Sequence, residues 1–453
     1  MRRKPGDRVY SVSQSMHDDS AAASVERYRE SLASERRTYE ACTEVHDLPE
    51  IFHYWSERHL RRKLSPFGFG SANEMFQVFL ERQCRRGGKG TRHFVSIGSG
   101  NCDLEVQIAG RLVAAQCGDF VIECLDLNPA MLDRGRRAAE AAGLSCHLAF
   151  TETDLNSWTA ARGYDAVMAN QSLHHMVNLE GLFAEVKGSL LPDGRFIISD
   201  MIGRNGHLRW PEALTIVHEY WRKLPPSYRV NRRTGAYEEL FEDWDCSVEG
   251  FEGVRSQDIL PLLECNFHFE VFLPFGNAID PFVDRTFGPN FRAAAEWDRN
   301  FIDQVHVRDE FEIGAGRIKP THMLAVATLE PRETPLLFSP ALTPAACIRD
   351  PLTVHRSEPP ADPYEWRDWP RDVRRELAQT TQRLHFANGE IVRLNEKVTS
   401  LEEELAVRTT WAQGLDQDLV VRAKQVLELE RELESRTTWA LRLKRELEIA
   451  GTK

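Results

Sequence analysis

The sequence predicts an α/β fold, with a parallel sheet covered by helices on both faces and one long coiled-coil helix at the C-terminal end. Three observations carry this. Between residues 93 and 202, short apolar runs alternate with helical patterns, and strand–helix alternation builds a parallel sheet flanked by helices. Prolines then crowd into residues 331–370, which hold nine of the 22, a density that sustains neither helix nor inner strand. Beyond them a single apolar period of seven runs to the end.

The elements follow in order. HFVSI (93–97) is a short apolar strand, GSGNC (98–102) a turn, and DLEVQIAGRLVAAQC (103–117) a helix. FVIECLDL (120–127) is a second strand; Asn128-Pro129 opens the next helix and Gly143 closes it, as the residue preferences of helix ends require. SCHLAFTETDL (145–155) and YDAVMANQSL (164–173) are the third and fourth strands. A helix at about 179–190 leads through a turn at Pro192-Asp193-Gly194 to the fifth strand, RFIISDMI (195–202).

Composition divides the chain further. Residues 1–24 are polar and Ser-rich without apolar periodicity, the signature of a disordered terminus. Residues 25–330 read as one globular domain: an N-terminal helical cap (25–90), an alternating core (93–202), and a stretch (203–330) that ends in two further apolar runs. Residues 331–370 read as an extended linker and 371–453 as a coiled coil. In the coil Leu377, Leu384, Ile391, Val398, Leu405, Ala412, Leu419, Val426, Leu433, Ala440 and Leu447 fall every seven residues. Such a stripe pairs one helix with another, so residues 371–453 predict a homo-oligomer; a rise of 1.5 Å per residue makes the rod roughly 110 Å long. The second seam carries Arg408, Arg422 and Arg436 where Leu would be expected, and LEEELAVRTTWA (401–412) recurs as LERELESRTTWA (429–440). The repeat leaves open a partner protein docking on the coil through Trp411 and Trp439.

Charge and cysteine usage exclude several classes. The balance of 57 Lys and Arg against 69 Asp and Glu is −12, which argues against a nucleic-acid partner or an anionic membrane surface. No apolar run reaches the eighteen or so residues of a membrane span, and the basic start MRRKPGDRVYSVSQS lacks a secretory apolar stretch. A cytoplasmic protein is the expectation. Nine scattered cysteines without a CxxC pair predict neither a disulfide framework nor a zinc site; no metal ligands are read from the sequence.

The predicted carboxyl ends of the strands suit a nucleoside. Gly98 and Gly100 allow a tight turn and close approach of a ligand to bare backbone. Asp126 ends the second strand, where a carboxylate can accept from ribose hydroxyls. Asp154 ends the third, where it can accept from an adenine amino group, and Asn170 ends the fourth. A dinucleotide fold would prefer glycine at position 103. Asp103 stands there instead, and a carboxylate in the first helical turn would repel a diphosphate. The cofactor expected is one without phosphates.

In order and spacing, FVSIGSGNCDLEV, LDLNPAML, TETDL, YDAVMANQSLHHM and LLPDGRFIISD resemble the successive motifs of class I S-adenosylmethionine-dependent methyltransferases. The resemblance covers 93–202, and more loosely extends to 330, where FHFEVFLPF (267–275) and HMLAVATL (322–329) would be antiparallel last strands. It implies a Rossmann-like seven-stranded sheet, S-adenosyl-L-methionine as cofactor, and methyl transfer by direct displacement. It also implies that Ser96, Gly98, Ser99 and Gly100 face the methionyl part, Asp126 with Leu127 the ribose, and Asp154 with Leu155 the adenine, while Asn170 borders the donor. Two positions depart from the pattern: Ser96 replaces a frequent acidic residue and Cys102 a small one. Glu105 is the candidate to compensate the first.

An acceptor hydroxyl would need a base, and His174 and His175 after the fourth strand are the candidate catalytic residues. HDLPEIFHYWSERHL (46–60) reads either as packing or as a lid, and 210–256, with His218, Tyr220, Trp221, Tyr228, Arg229 and Arg255-Ser256, as the wall of an acceptor pocket. The acceptor expected is a small molecule, sugar or glycan. A second reading stays open: a non-catalytic coiled-coil scaffold with a degenerate binding domain.

Overall fold

A computed structural model describes residues 28–40, 48–86, 90–248, 250–331, 334–349, 422 and 424–445. The chain divides into two compact units, Met1–Asp350 and Pro351–Lys453. The expected disordered terminus (1–24) and most of the expected coil lie outside the described residues.

The first unit is built on an eight-stranded sheet in the order β3-β2-β1-β4-β5-β7-β6-β8. Its strands are β1 (Arg92–Ile97), β2 (Phe120–Asp126), β3 (Leu148–Glu152), β4 (Tyr164–Asn170), β5 (Leu190–Met201), β6 (His268–Phe275), β7 (His322–Thr328) and β8 (Leu336–Leu337). Strands β1 to β5 run parallel, and β7 lies antiparallel between β5 and β6. Both faces are buried, which is why the strands read as near-continuous apolar runs. Phe94, Ile122, Met168 and Ile197 point into one core, beneath helices Ala72–Arg85 and Asp103–Ala114; Val95, Leu125, Val167 and Ile198 point into the other, beneath Leu179–Ser189 and Ser256–Asn266. The strand order reverses between β1 and β4, so their carboxyl ends open the crevice where such sheets bind ligands.

Three expectations are corrected. Seven strands become eight, because Leu336 and Leu337 pair with Val271 and Phe272 at the edge. The linker expected from 331 therefore begins later: helix Pro344–Cys347 follows β8, Cys347 is buried, and the first unit runs to Asp350. Proline stops inner strands but tolerates an edge strand and starts a short helix. The expected turn at 192–194 lies within β5, where the register against β4 jumps from Tyr164↔Leu190 to Ala166↔Arg195 and the surplus residues bulge.

A third apolar cluster lies apart from the sheet faces. Ile51 and Trp55 pack there with Ile216, Tyr220, Trp221 and Phe301. The stretch 46–60 is thus packing in its described part, and Tyr220 and Trp221 are core residues rather than pocket wall. In the second unit, residues 424–445 are helical, with Leu429, Leu433, Trp439 and Leu443 exposed. Among the described residues no helix is long and apolar enough to cross a membrane.

Candidate functional site

The turn after β1 needs its glycines. Gly98 adopts φ +67° and Gly100 φ +55°, the left-handed region that side chains disfavour. A Cβ on Gly98 would stand 2.6 Å from Ser172 Cβ. The turn thus abuts the segment after β4, and Ser172 Oγ donates to the Ile97 carbonyl at 2.7 Å. Asp126, at the end of β2, accepts from the Gly100 amide through one oxygen and from the Asn128 amide through the other, both at 2.8 Å. Burial nonetheless pushes its pKa up, against those two bonds.

Ser96 is buried inside β1, and its hydroxyl donates to Glu105 Oε1 at 2.6 Å. Glu105 comes from the first turn of the helix Asp103–Ala114. Its Oε2 is buried with no hydrogen-bond partner among the described residues, and burial pushes the carboxyl up to about 7. Cys102 caps that helix at φ +59°, a conformation that costs a non-glycine residue about 1–2 kcal/mol. Its side chain fills the space beside Gly135, where an added Cβ would come within 2.8 Å.

Asp154 is not on a strand. It caps the turn Leu155–Ser157, accepting from the Asn156 amide, and takes a 2.5 Å bond from the Tyr28 hydroxyl. Tyr28 belongs to helix 28–40, which lies along the carboxyl edge of the sheet: Asn128 Nδ2 donates to the Arg36 carbonyl, Arg36 pairs with Glu152, and Arg134 donates to the carbonyls of Tyr39 and Glu40. This helix, rather than 46–60, covers the edge. Leu155 is buried, while Ser99 and Leu127 are half-buried in the two loops; Asn170 ends β4 opposite Ser199.

His174 and His175 follow β4 in a short 3-10 turn. His174 is buried, with Nδ1 at 2.7 Å from Asp200 Oδ1 and Nε2 at 3.4 Å from Glu252 Oε1. Asp200, at the end of β5, also accepts from the amides of Ser172, Leu173 and Met201. Burial opposes charge on the His174 ring, but Asp200 and Glu252 outweigh it and push its pKa up to about 10. Glu252 gathers three imidazoles: its Oε1 lies 2.6 Å from His207 Nε2, and its Oε2 lies 3.5 Å from His175 Nε2 and accepts from Tyr39 at 3.2 Å. Those histidines hold its carboxyl far below the ordinary range against the effect of burial, while burial pushes His207 down. His175 Nδ1 lies 2.7 Å from Glu35 of helix 28–40.

Of the residues expected in the acceptor wall, several serve the fold. His218 bonds the Phe241 carbonyl, Tyr228 bonds Asp298, Arg229 bonds three carbonyls, and Arg255 pairs with Glu180 and Asp258. The residues missed are Tyr28, Glu35, Tyr39, Asp200, His207 and Glu252. Only Asp200 had a signal, as the last residue of the apolar run RFIISD.

Residues 95–194 match the model of a family described as a methyltransferase domain. No curated protein matches. Solved structures similar to the chain include geranyl diphosphate C-methyltransferase from Streptomyces coelicolor A3(2), 14% identical over 66% of this chain and 98% of that one, with a TM-score of 0.37. An O-methyltransferase of a trans-AT PKS multienzyme from Brevibacillus brevis is 15% identical over 64% and 82%, TM-score 0.33. An S-adenosylmethionine-dependent methyltransferase from Mesorhizobium loti is 16% identical over 57% and 98%, TM-score 0.31. Residues 95–194 are thus similar to a methyltransferase domain.

Proposed function

We propose that the protein methylates a hydroxyl of a small-molecule, sugar or glycan acceptor at the carboxyl edge of the sheet. The observation that carries this reading is the convergence on that edge of a glycine turn, a ribose-type carboxylate and a cluster of imidazoles. The residues fit the cofactor on two counts. A Cβ at Gly98 would close the cradle against Ser172, and Glu105 leaves a buried oxygen without a partner.

Asp126 would hold the ribose hydroxyls, with Leu127 beside it, and the backbone of Gly98, Ser99 and Gly100 would lie against the methionyl part. Ser96 orients Glu105, whose remaining oxygen would take the ammonium that a carboxylate at position 96 takes elsewhere. Asp154 and Leu155 would bound the adenine, beneath Tyr28, and Asn170 the donor side. When bound, S-adenosyl-L-methionine supplies an activated methyl group on a sulfonium leaving group. The fold's part is to place the acceptor oxygen in line with it, which accounts for much of such a rate. Proton removal falls to the groups beside Ser172. His174, held by Asp200 and protonated near neutrality, is better suited to fixing an oxygen's position than to taking its proton; His175 is the candidate base.

Helix 28–40 shields this edge from water. The exposed leucines at 429, 433 and 443 support pairing of the C-terminal helix with a second helix, and the proposed role of residues 371–453 is to make the enzyme an oligomer or tether it to an assembly.

The test is incubation of the purified chain with methyl-labelled S-adenosyl-L-methionine and a panel of hydroxylated acceptors, read by mass spectrometry. Label on an oxygen supports the reading. Label only on nitrogen or carbon contradicts the hydroxyl acceptor, and no binding of the cofactor contradicts the whole.

A further inference from the structure

His174, His207 and Glu252 come from three separate segments: the 3-10 turn after β4, the turn after β5 and the loop before helix Ser256–Asn266. Their ligand atoms all lie within 4.8 Å of one another, and no other described group of His, Cys, Asp or Glu is so arranged. Two imidazole nitrogens and one carboxylate oxygen are a donor set that first-row transition ions accept, and three protein ligands leave positions open for others.

Three further features look built for this purpose. Asp200 grips His174 Nδ1 at 2.7 Å and is itself fixed by three amides. That leaves Nε2 aimed at Glu252, 3.4 Å away; an entering cation displaces the proton there, and such carboxylate–histidine pairs orient metal-bound rings. His207 stands at φ +56° directly after Gly206 at φ +66°, and strained backbone of this kind persists where surrounding structure enforces it. Gly206 cannot be replaced, since a Cβ there would collide with Asp245. Finally, Glu252 Oε2 is steadied by Tyr39 at 3.2 Å, leaving Oε1 for the shared point.

We propose that His174 Nε2, His207 Nε2 and Glu252 Oε1 bind a divalent first-row transition cation, with Asp200 as the positioning residue for His174. The site lies two residues along the chain from Ser172, which abuts the glycine turn. A cation there faces the edge where the acceptor would sit and would bind its hydroxyl oxygen as a Lewis acid, lowering the energy of the alkoxide. That role rests on the function proposed above; the cation site itself does not.

The test is equilibrium dialysis of the full chain against Co2+ and, separately, Zn2+, followed by metal analysis and visible absorption of the Co2+ form. One ion per chain is expected, unaffected by excess Mg2+. His207→Ala and Glu252→Gln should each lower affinity at least tenfold, and Asp200→Asn by about ten- to a hundredfold. Far-ultraviolet circular dichroism of each variant establishes that it is folded. Because His174 is buried and its replacement risks the fold, the two half-buried ligands carry the test. Asp126→Ala, which should weaken S-adenosylhomocysteine binding, is expected to keep Co2+ at wild-type affinity, so failure of the nucleoside site and failure of the cation site are separable. Wild-type protein that binds no Co2+ or Zn2+, or folded His207→Ala and Glu252→Gln variants that bind as tightly as wild type, would overturn the proposal and leave a hydrogen-bonded ion cluster.

Discussion

Ser96 and Glu105 share a buried hydrogen bond of 2.6 Å, so the helix that follows the first strand sets a carboxyl group against it. The other Glu105 oxygen has no described partner, and removing it from water raises its pKa from 4.5 to about 7. A carboxyl whose folded pKa is raised favours the fold while protonated. Stability should therefore fall as pH rises from about 4.5 through 7, by roughly 3 kcal/mol if the whole shift is expressed. Glu105→Gln should remove that slope. Urea unfolding of both proteins at pH 5 and pH 8, without cofactor, measures it; equal slopes would contradict the assignment.

Gly98→Ala should be severe. The position needs φ +67°, and the methyl group would press on Ser172 Cβ at 2.6 Å. Overpacking plus backbone strain predicts a loss of about 2–4 kcal/mol and weakened S-adenosylhomocysteine binding, read by thermal melting and calorimetry.

Truncation after residue 350 should leave a folded, cofactor-binding unit, since the first compact unit ends there. Truncation after 330 should be less stable by about 2–3 kcal/mol, because it removes β8 and uncovers the site of the buried Cys347. Equal melting temperatures for the two fragments would return the boundary to the start of the proline-rich stretch.

Acid should act through His306. It is buried and accepts from Trp55 Nε1 at 3.2 Å, and burial, with His59 and Lys63 nearby, pushes its pKa down to about 3. A histidine kept neutral by the fold lends stability at neutral pH, which is lost as pH falls from about 6.5 towards 3. The expected loss by pH 5 is about 2 kcal/mol, and His306→Gln should flatten it in unfolding titrations.

The strands were legible because both sheet faces are buried and each run is short and bounded by turn residues. Asp126 was legible for the same reason, followed as it is by Asn128 and Pro129, which start a helix. Asp154 was misplaced by only a turn. Glu252 and His207 left no pattern: they lie 45 residues apart in irregular segments, and nothing local marks them. Tyr28, 126 residues before Asp154, is recognisable only once helix 28–40 is folded over the edge. The last strand escaped because an edge pair of two residues makes no period.

Calorimetry with S-adenosylhomocysteine on wild type and Asp126→Ala tests most directly whether Asp126 and the turn at Gly98–Gly100 hold the nucleoside half of S-adenosyl-L-methionine. Loss of the charge-assisted bonds should weaken binding by about 1–3 kcal/mol, roughly five- to 150-fold. Binding of undiminished affinity by the folded variant would contradict the account.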